Sequence, residues 1–213
     1  MKTFDNSISK KMDYPTPIRI SQAEPWQWNL LAKAFLNDPT LNFWLGKKTN
    51  EKVLQDFFEA VIKDTLASDG AVFCSPDQKV ILIWTRHAYS KETPSEWKQR
   101  WHQVLESEGV KRYYWLYEAS GLQIDEDKLD KSMLPDYIAV SPESQGVGYG
   151  SYILKWTLDH FESLGYEVPF LLASTRRSAK LYGPLLGFHF HKEILTPESS
   201  DIPAGVFMKR NVI

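Results

Sequence analysis

The 213-residue chain contains a single cysteine, Cys74, so no intrachain disulfide framework can staple the fold. That residue lies in the apolar run Ala71-Val72-Phe73-Cys74, a setting that fits a buried structural thiol rather than a nucleophile. Concentrated charge of one sign is also missing. The net charge is −2, and Lys47-Lys48 and Arg176-Arg177 are short pairs rather than patches. A nucleic-acid binder carries a concentrated basic footprint, so a solvated mixed surface is the better reading. No apolar stretch approaches the roughly 18 residues of a membrane span. Residues 1–14 are polar and lack the apolar centre of a secretory leader. Internal repeats, low-complexity tracts and a visible linker are absent as well. These absences lead to the expectation of a cytoplasmic, soluble protein that binds neither nucleic acid nor membrane. Its expected organisation is a flexible tail over residues 1–16 and one domain over residues 17–213.

Aromatic residues are abundant: eight Trp, ten Tyr and eleven Phe. Rings bury large areas, so the core should be substantial. Ile18-Arg19-Ile20 alternates as a short strand. Ser21 and Glu24 have capping-box spacing ahead of a helix carrying Trp28, Leu31, Ala32 and Phe35, which Asn37-Asp38-Pro39 should stop. Asn50 is placed to cap a second helix, with Leu54, Phe57, Phe58, Val61 and Ile62 as its stripe. Residues 71–75 and 79–85 read as a hairpin. A helix from Thr93 is expected to end at Gly109, while residues 113–117 fit a strand or a helix equally well. Residues 125–131 read as a surface loop or short helix. Strands are expected at 137–140, 168–173, 187–195 and 205–211, with helices over 148–164 and 179–186. This order predicts an α/β fold: one mixed, mostly antiparallel twisted sheet with helices on both faces.

The feature with chemical content is Gln145-Gly146-Val147-Gly148-Tyr149-Gly150-Ser151, set between the strand ending at Val140 and an amphipathic helix. Glycines let a backbone approach a phosphate closely and present N–H groups to it. A helix N-terminus adds partial positive charge. A P-loop needs a Lys after the glycines, and none follows here. A dinucleotide fingerprint needs G-x-G-x-x-G and an acidic residue after the next strand; the spacing here is G-x-G-x-G, and residues 168–173 contain no acid. The remaining class is the pyrophosphate of coenzyme A.

The segment resembles the acetyl-CoA site of the GNAT (GCN5-related N-acetyltransferase) superfamily, whose signature is Q/R-x-x-G-x-G/A. Gln145, Gly148 and Gly150 stand at its fixed positions. The flanks are similar: Val140-Ser141-Pro142 before the loop, and the strand, short helix and Gly187-Phe188 pair after it. The resemblance spans about residues 136–190. Upstream, Phe35-Leu36-Asn37-Asp38-Pro39 followed by Trp44 is similar to the opening of some small-molecule acetyltransferases of the superfamily.

The resemblance implies an acyl-CoA acyltransferase fold and acetyl-CoA as co-substrate, with no metal. Ile138, Ala139 and Val140 would pair with the pantetheine arm, because in this family the strand before the loop splays from the next one. Gln145, Gly146, Val147, Gly148, Tyr149, Gly150 and Ser151 would hold the pyrophosphate. An amine would attack the thioester directly, without an acyl-enzyme. Tyr182 would protonate the departing thiolate, although this chain has one residue more than the family pattern between that Tyr and Gly187-Phe188, with Pro184 among them. Glu118 and Asp136 are the candidate general bases. His189 and His191 share a strand face but have no further ligands spaced to complete a metal site. The acceptor is expected to be a small-molecule amine, or else a peptide amine, chosen by residues around 97–101, 113–117 and 198–203. A homodimer stays open. Two other readings stay open too: a CoA-binding regulatory module without catalysis, and an acyltransferase for a longer acyl-CoA.

Overall fold

The computed structural model describes residues 14–86, 96–124, 126–196 and 199–211. In chain order the elements are β1 (Ile18–Ile20), α1 (Pro25–Phe35), α2 (Pro39–Leu45), α3 (Glu51–Ala67), β2 (Ala71–Cys74), β3 (Val80–Thr85), α4 (Glu96–Ser120), β4 (Leu134–Val140), α5 (Tyr149–Ser163), β5 (Phe170–Ala173), α6 (Arg176–Leu186), β6 (Phe188–Thr196) and β7 (Ser199–Arg210), with short 3-10 turns between some of them. The strands hydrogen-bond in two antiparallel groups, β1-β2-β3-β4 and β5-β7-β6.

Alternation along the central strands divides the core. Ile81 and Ile83 of β3 pack with α1, α3 and α4 side chains such as Leu31, Phe57 and Leu116. Val80, Leu82 and Trp84 point the other way, onto Ile153, Leu154 and Phe161 of α5. Successive strand residues face opposite sides of a sheet, so one strand serves both cores and helices cover both faces.

Local chemistry explains where the elements start. Asn50 caps α3 by accepting from the Val53 N–H at 3.0 Å, as its residue type predicts. The α1 cap differs from the expectation. Glu24, not Ser21, is the N-cap, and its capping-box partner is Gln27 at N3, with Pro25 at N1. Asp38 does more than stop α1: its carboxylate accepts from the Leu41 N–H at 3.0 Å and starts α2, again with Pro at N1.

The expected helix end at Gly109 is also corrected. The element Glu96–Ser120 breaks instead at Glu106, whose φ is 58° and ψ 175°. Gly109 lies inside the second half, and a Cβ there would meet the Trp44 carbonyl oxygen at 2.7 Å. Its role is close approach to α2, and residues 113–117 are helical. Tyr14, in the segment expected to be a tail, is placed against α5. Tyr14 stacks on Tyr149 of α5 with ring centroids 4.5 Å apart and planes 7° apart.

The expected single sheet is parted between β4 and β5. A parallel bridge joins Ser132 to Glu167 just before the two strands, with Met133 N–H donating to the Glu167 carbonyl at 2.9 Å. Beyond it, β4 is laddered only to β3 and β5 only to β7 among the described residues. The strands leave this junction side by side, and the gap opens toward Val140 and Ala173.

Candidate active site at the parted sheet

The glycine-rich loop stands at the open end of that gap. A 3-10 turn, Pro142–Ser144, leads from β4 into it. Gly146 (φ 78°) and Gly148 (φ 88°) both adopt left-handed backbone conformations that favour glycine. Gly148 is the N-cap of α5, and no described side chain caps this helix start. Its first N–H groups therefore lack intrahelical partners and carry the positive end of the helix dipole. Gly150 has a different task. A Cβ there would lie 2.7 Å from Val140 Cγ2, so this glycine lets α5 press against β4. The Gln145 amide donates to the Val140 carbonyl at 3.0 Å, folding the loop back onto the strand end.

The gap holds two crevices. On the α5 side, a narrow one is lined by residues including Leu82, Ile138, Leu154 and Tyr182. On the α1–α2 side, another is lined by Phe35, Asp38, Leu41, Trp44, Tyr117 and Ser174 among others. Asp136, Tyr137 and Leu172 line both, so the crevices meet through the parting of the sheet.

Asp136 accepts a hydrogen bond from the Thr85 hydroxyl at 2.7 Å. Burial pushes its carboxyl up to about 6, against the lowering effect of that bond. Asp38 is also raised by burial, opposed by hydrogen bonds from Ser174, Leu41 and Thr40. Tyr182 is pushed up to about 12, mainly by burial and further by the Asp38 charge. Burial, then the charges of Asp136 and Asp38, hold the Tyr137 hydroxyl far above its ordinary value. No Lys, Arg or His lines either crevice.

Of the sequence-predicted catalytic candidates, Asp136 and Tyr182 come together in one crevice wall. Pro184 sits inside α6, one turn after Lys180, and removes one helical amide there. Glu118 is exposed on α4 and lines neither crevice. Ile138, Ala139 and Val140 form the end of β4, with their outer edge unladdered toward β5. Asp38 and Ser174 join the site without having been named as candidates. The Asp-Pro step marks a helix start from sequence, but nothing local announces that its carboxylate meets β5. Residues 97 and 198–200, expected near the acceptor, lie outside the described side chains, while Tyr117 from the 113–117 run does reach the second crevice. Cys74 is buried and its thiol is pushed up to about 11, chiefly by burial.

Among the described residues the domain combines seven strands, a sheet parted between β4 and β5, and an uncapped glycine-rich helix start at the parting. No family model matches the sequence, and no curated protein matches it. Solved structures do match the fold. A Corynebacterium glutamicum protein described as "histone acetyltransferase HPA2 and related acetyltransferase" superposes with a TM-score of 0.62 at 21% identity, over 94% of this chain and 98% of that one. A protein of the yellow fever mosquito Aedes aegypti, assigned to the arylalkylamine N-acetyltransferases, gives 0.59 at 13% identity over 85% and 80%. An N-acetyltransferase from Staphylococcus aureus gives 0.50 at 11% identity over 92% and 98%. The chain has the fold of the GNAT acetyltransferase superfamily.

Proposed function

We propose that this protein is an acetyl-CoA-dependent N-acetyltransferase that transfers the acetyl group directly to the amine of a small molecule. The observation that carries the reading is the position of the uncapped α5 N-terminus at the open end of the β4–β5 gap. Backbone N–H groups of the loop from Gln145 through Ser151 suit a pyrophosphate. The free edge of Ile138–Val140 suits the amides of a pantetheine arm, which would add to β4 like a strand. The thioester then lies between the two crevices, near Asp136.

The chemistry divides as follows. An amine enters as its ammonium and must lose a proton before its nitrogen can attack. Asp136, ionised above about pH 6, accepts that proton and passes it to solvent. The nitrogen lone pair forms the C–N bond at the thioester carbonyl, the C–S bond breaks, and the acylated nitrogen gives up its second proton through Asp136 to solvent. The sulfur leaves as thiolate beside Tyr182. A phenol held at about 12 stays protonated and donates a hydrogen bond to the thiolate. Its full proton transfer is uphill, so the main contribution of Tyr182 is charge stabilisation, with the thiol proton completed from water. Glu118 has no part in this scheme.

The test is thiol release from acetyl-CoA in the presence of amines, for the wild type, Asp136→Asn and Tyr182→Phe. The reading expects turnover by the wild type, with kcat/KM lowered roughly 100-fold or more in Asp136→Asn. Acetyl-CoA binding without turnover of any amine would instead favour a non-catalytic CoA module.

A further inference from the structure

Resting on that reading, the second crevice defines the acceptor. We infer that the acceptor is a small primary monoamine on an apolar body without a carboxylate, recognised as a cation by Asp38. The walls are apolar and aromatic: Phe35, Leu41, Trp44, Tyr117 and Leu172. Among the described residues the charged side chains in them are Asp38 and Asp136, with no cation to meet an acceptor's carboxylate. Burial and mutual charge make an anionic group expensive there, and a cationic one favourable.

The two carboxylates differ. Asp38 is held by three donors, from Ser174, Leu41 and Thr40, which favour its charged form against the raising effect of burial. Asp136 has only the Thr85 hydroxyl and keeps accepting capacity for a proton. A diamine would drive its second ammonium into the aromatic wall. Trp44 also lines this crevice; it is 3% exposed, and its indole N–H has no hydrogen-bond partner among the described residues. Buried indole N–H groups ordinarily find one.

The experiment compares 2-phenylethylamine, phenylalanine and 1,6-diaminohexane as acceptors, with acetyl-CoA binding measured in parallel. Expected is a kcat/KM for 2-phenylethylamine roughly 100-fold or more above that for phenylalanine, because a third carboxylate meets like charges. The diamine should fall between them. Asp38→Asn keeps an N-cap acceptor for α2, so the fold survives. It should lower kcat/KM for the monoamine about tenfold, mostly through KM, and leave acetyl-CoA binding unchanged. Equal or better turnover of phenylalanine, preference for the diamine, or an Asp38→Asn enzyme with unchanged KM would overturn the inference. Failure of the wild type to bind acetyl-CoA would overturn the acyltransferase reading beneath it.

A separate observation concerns the loop itself. The Tyr14 hydroxyl donates to the Val147 carbonyl, 133 residues away in the chain. Its ring stacks on Tyr149 and tilts against Tyr152 at 5.3 Å, while the Tyr149 hydroxyl is tied to Asp77 at 3.1 Å. A trans peptide is planar, so holding the Val147 carbonyl fixes the Gly148 N–H in the opposite direction. The geometry points to Tyr14 as a positioning residue that aims this N–H at the coenzyme pyrophosphate. Tyr14→Phe keeps the stacking and loses the hydroxyl. It should weaken CoA binding about fivefold, the size of one ordinary hydrogen bond, and leave the affinity for pantetheine, which has no phosphate, unchanged. Unchanged CoA affinity, or equal loss for both ligands, would overturn this assignment.

Discussion

Asp136 has conflicting demands placed on it. Its surroundings raise its carboxyl from an ordinary 3.8 to about 6, so at neutral pH the folded protein carries a charge it would hold more cheaply when unfolded. The folded state binds the proton more tightly, and stability from this group is full below the unfolded value and lost as pH rises through about 6. The shift corresponds to about 3 kcal/mol. Wild type and Asp136→Asn should therefore diverge between pH 4 and pH 7, with the variant gaining relative stability in urea titrations while losing activity. A constant difference across that window would show that Asp136 titrates normally. The same residue predicts an acid limb in kcat/KM near pH 6, moved or abolished in Asp136→Asn. Tyr182 predicts the opposite kind of result: a phenol at about 12 gives no basic limb below roughly pH 10. Tyr182→Phe should lower kcat at all pH values without changing the shape of the profile.

At the scale of elements, the parting of β4 from β5 depends on how α5 sits against β4. Gly150 is the point of closest approach, 2.7 Å from a Val140 methyl for any added Cβ. Gly150→Ala should destabilise the fold by about 1–3 kcal/mol through overpacking. Val140→Ala in the same chain removes the opposing methyl and should recover part of that loss. Denaturant midpoints of the two single variants and the double variant measure it, and strict additivity would contradict the contact. These elements were legible in the sequence because strand, glycines and helix follow one another locally, each with its own period and turn chemistry. The break at Glu106 was not legible. Gly109 reads as a helix end, but α2 packs so closely that only glycine fits there, and the chain turns three residues earlier. The Ser21 cap failed for a related reason: Pro25 at N1 fixes Glu24 as the cap, three residues after Ser21.

On the scale of the whole molecule, the site is assembled from distant stretches: Asp38 and Trp44 from α2 and its cap, Asp136 from β4, Ser174 after β5, Tyr182 from α6. The glycine-rich loop could be found in six consecutive residues, Tyr182 through the family resemblance, and Asp136 by its place at the strand before the loop. Asp38 and Tyr14 could not, because each acquires its place only through tertiary contacts across more than a hundred residues. What the molecule offers is two faces meeting at one gap, a glycine-rich helix start without a side-chain cap on one side and an apolar crevice with two carboxylates on the other.

The measurement that bears most directly on this account is a calorimetric titration of the protein with acetyl-CoA, alongside Gly148→Glu and with NADH as the control ligand. Gly148 has a left-handed φ of 88°, which strains any other residue, and an added Cβ would lie 4.0 Å from the Tyr14 hydroxyl, so circular dichroism must show the variant folded before its added carboxylate is read as occupying the proposed pyrophosphate position. The account predicts saturable acetyl-CoA binding by the wild type, its loss in Gly148→Glu, and no binding of NADH. Wild-type protein that ignores acetyl-CoA, or a folded Gly148→Glu variant that binds it as tightly, would contradict the assignment of the loop.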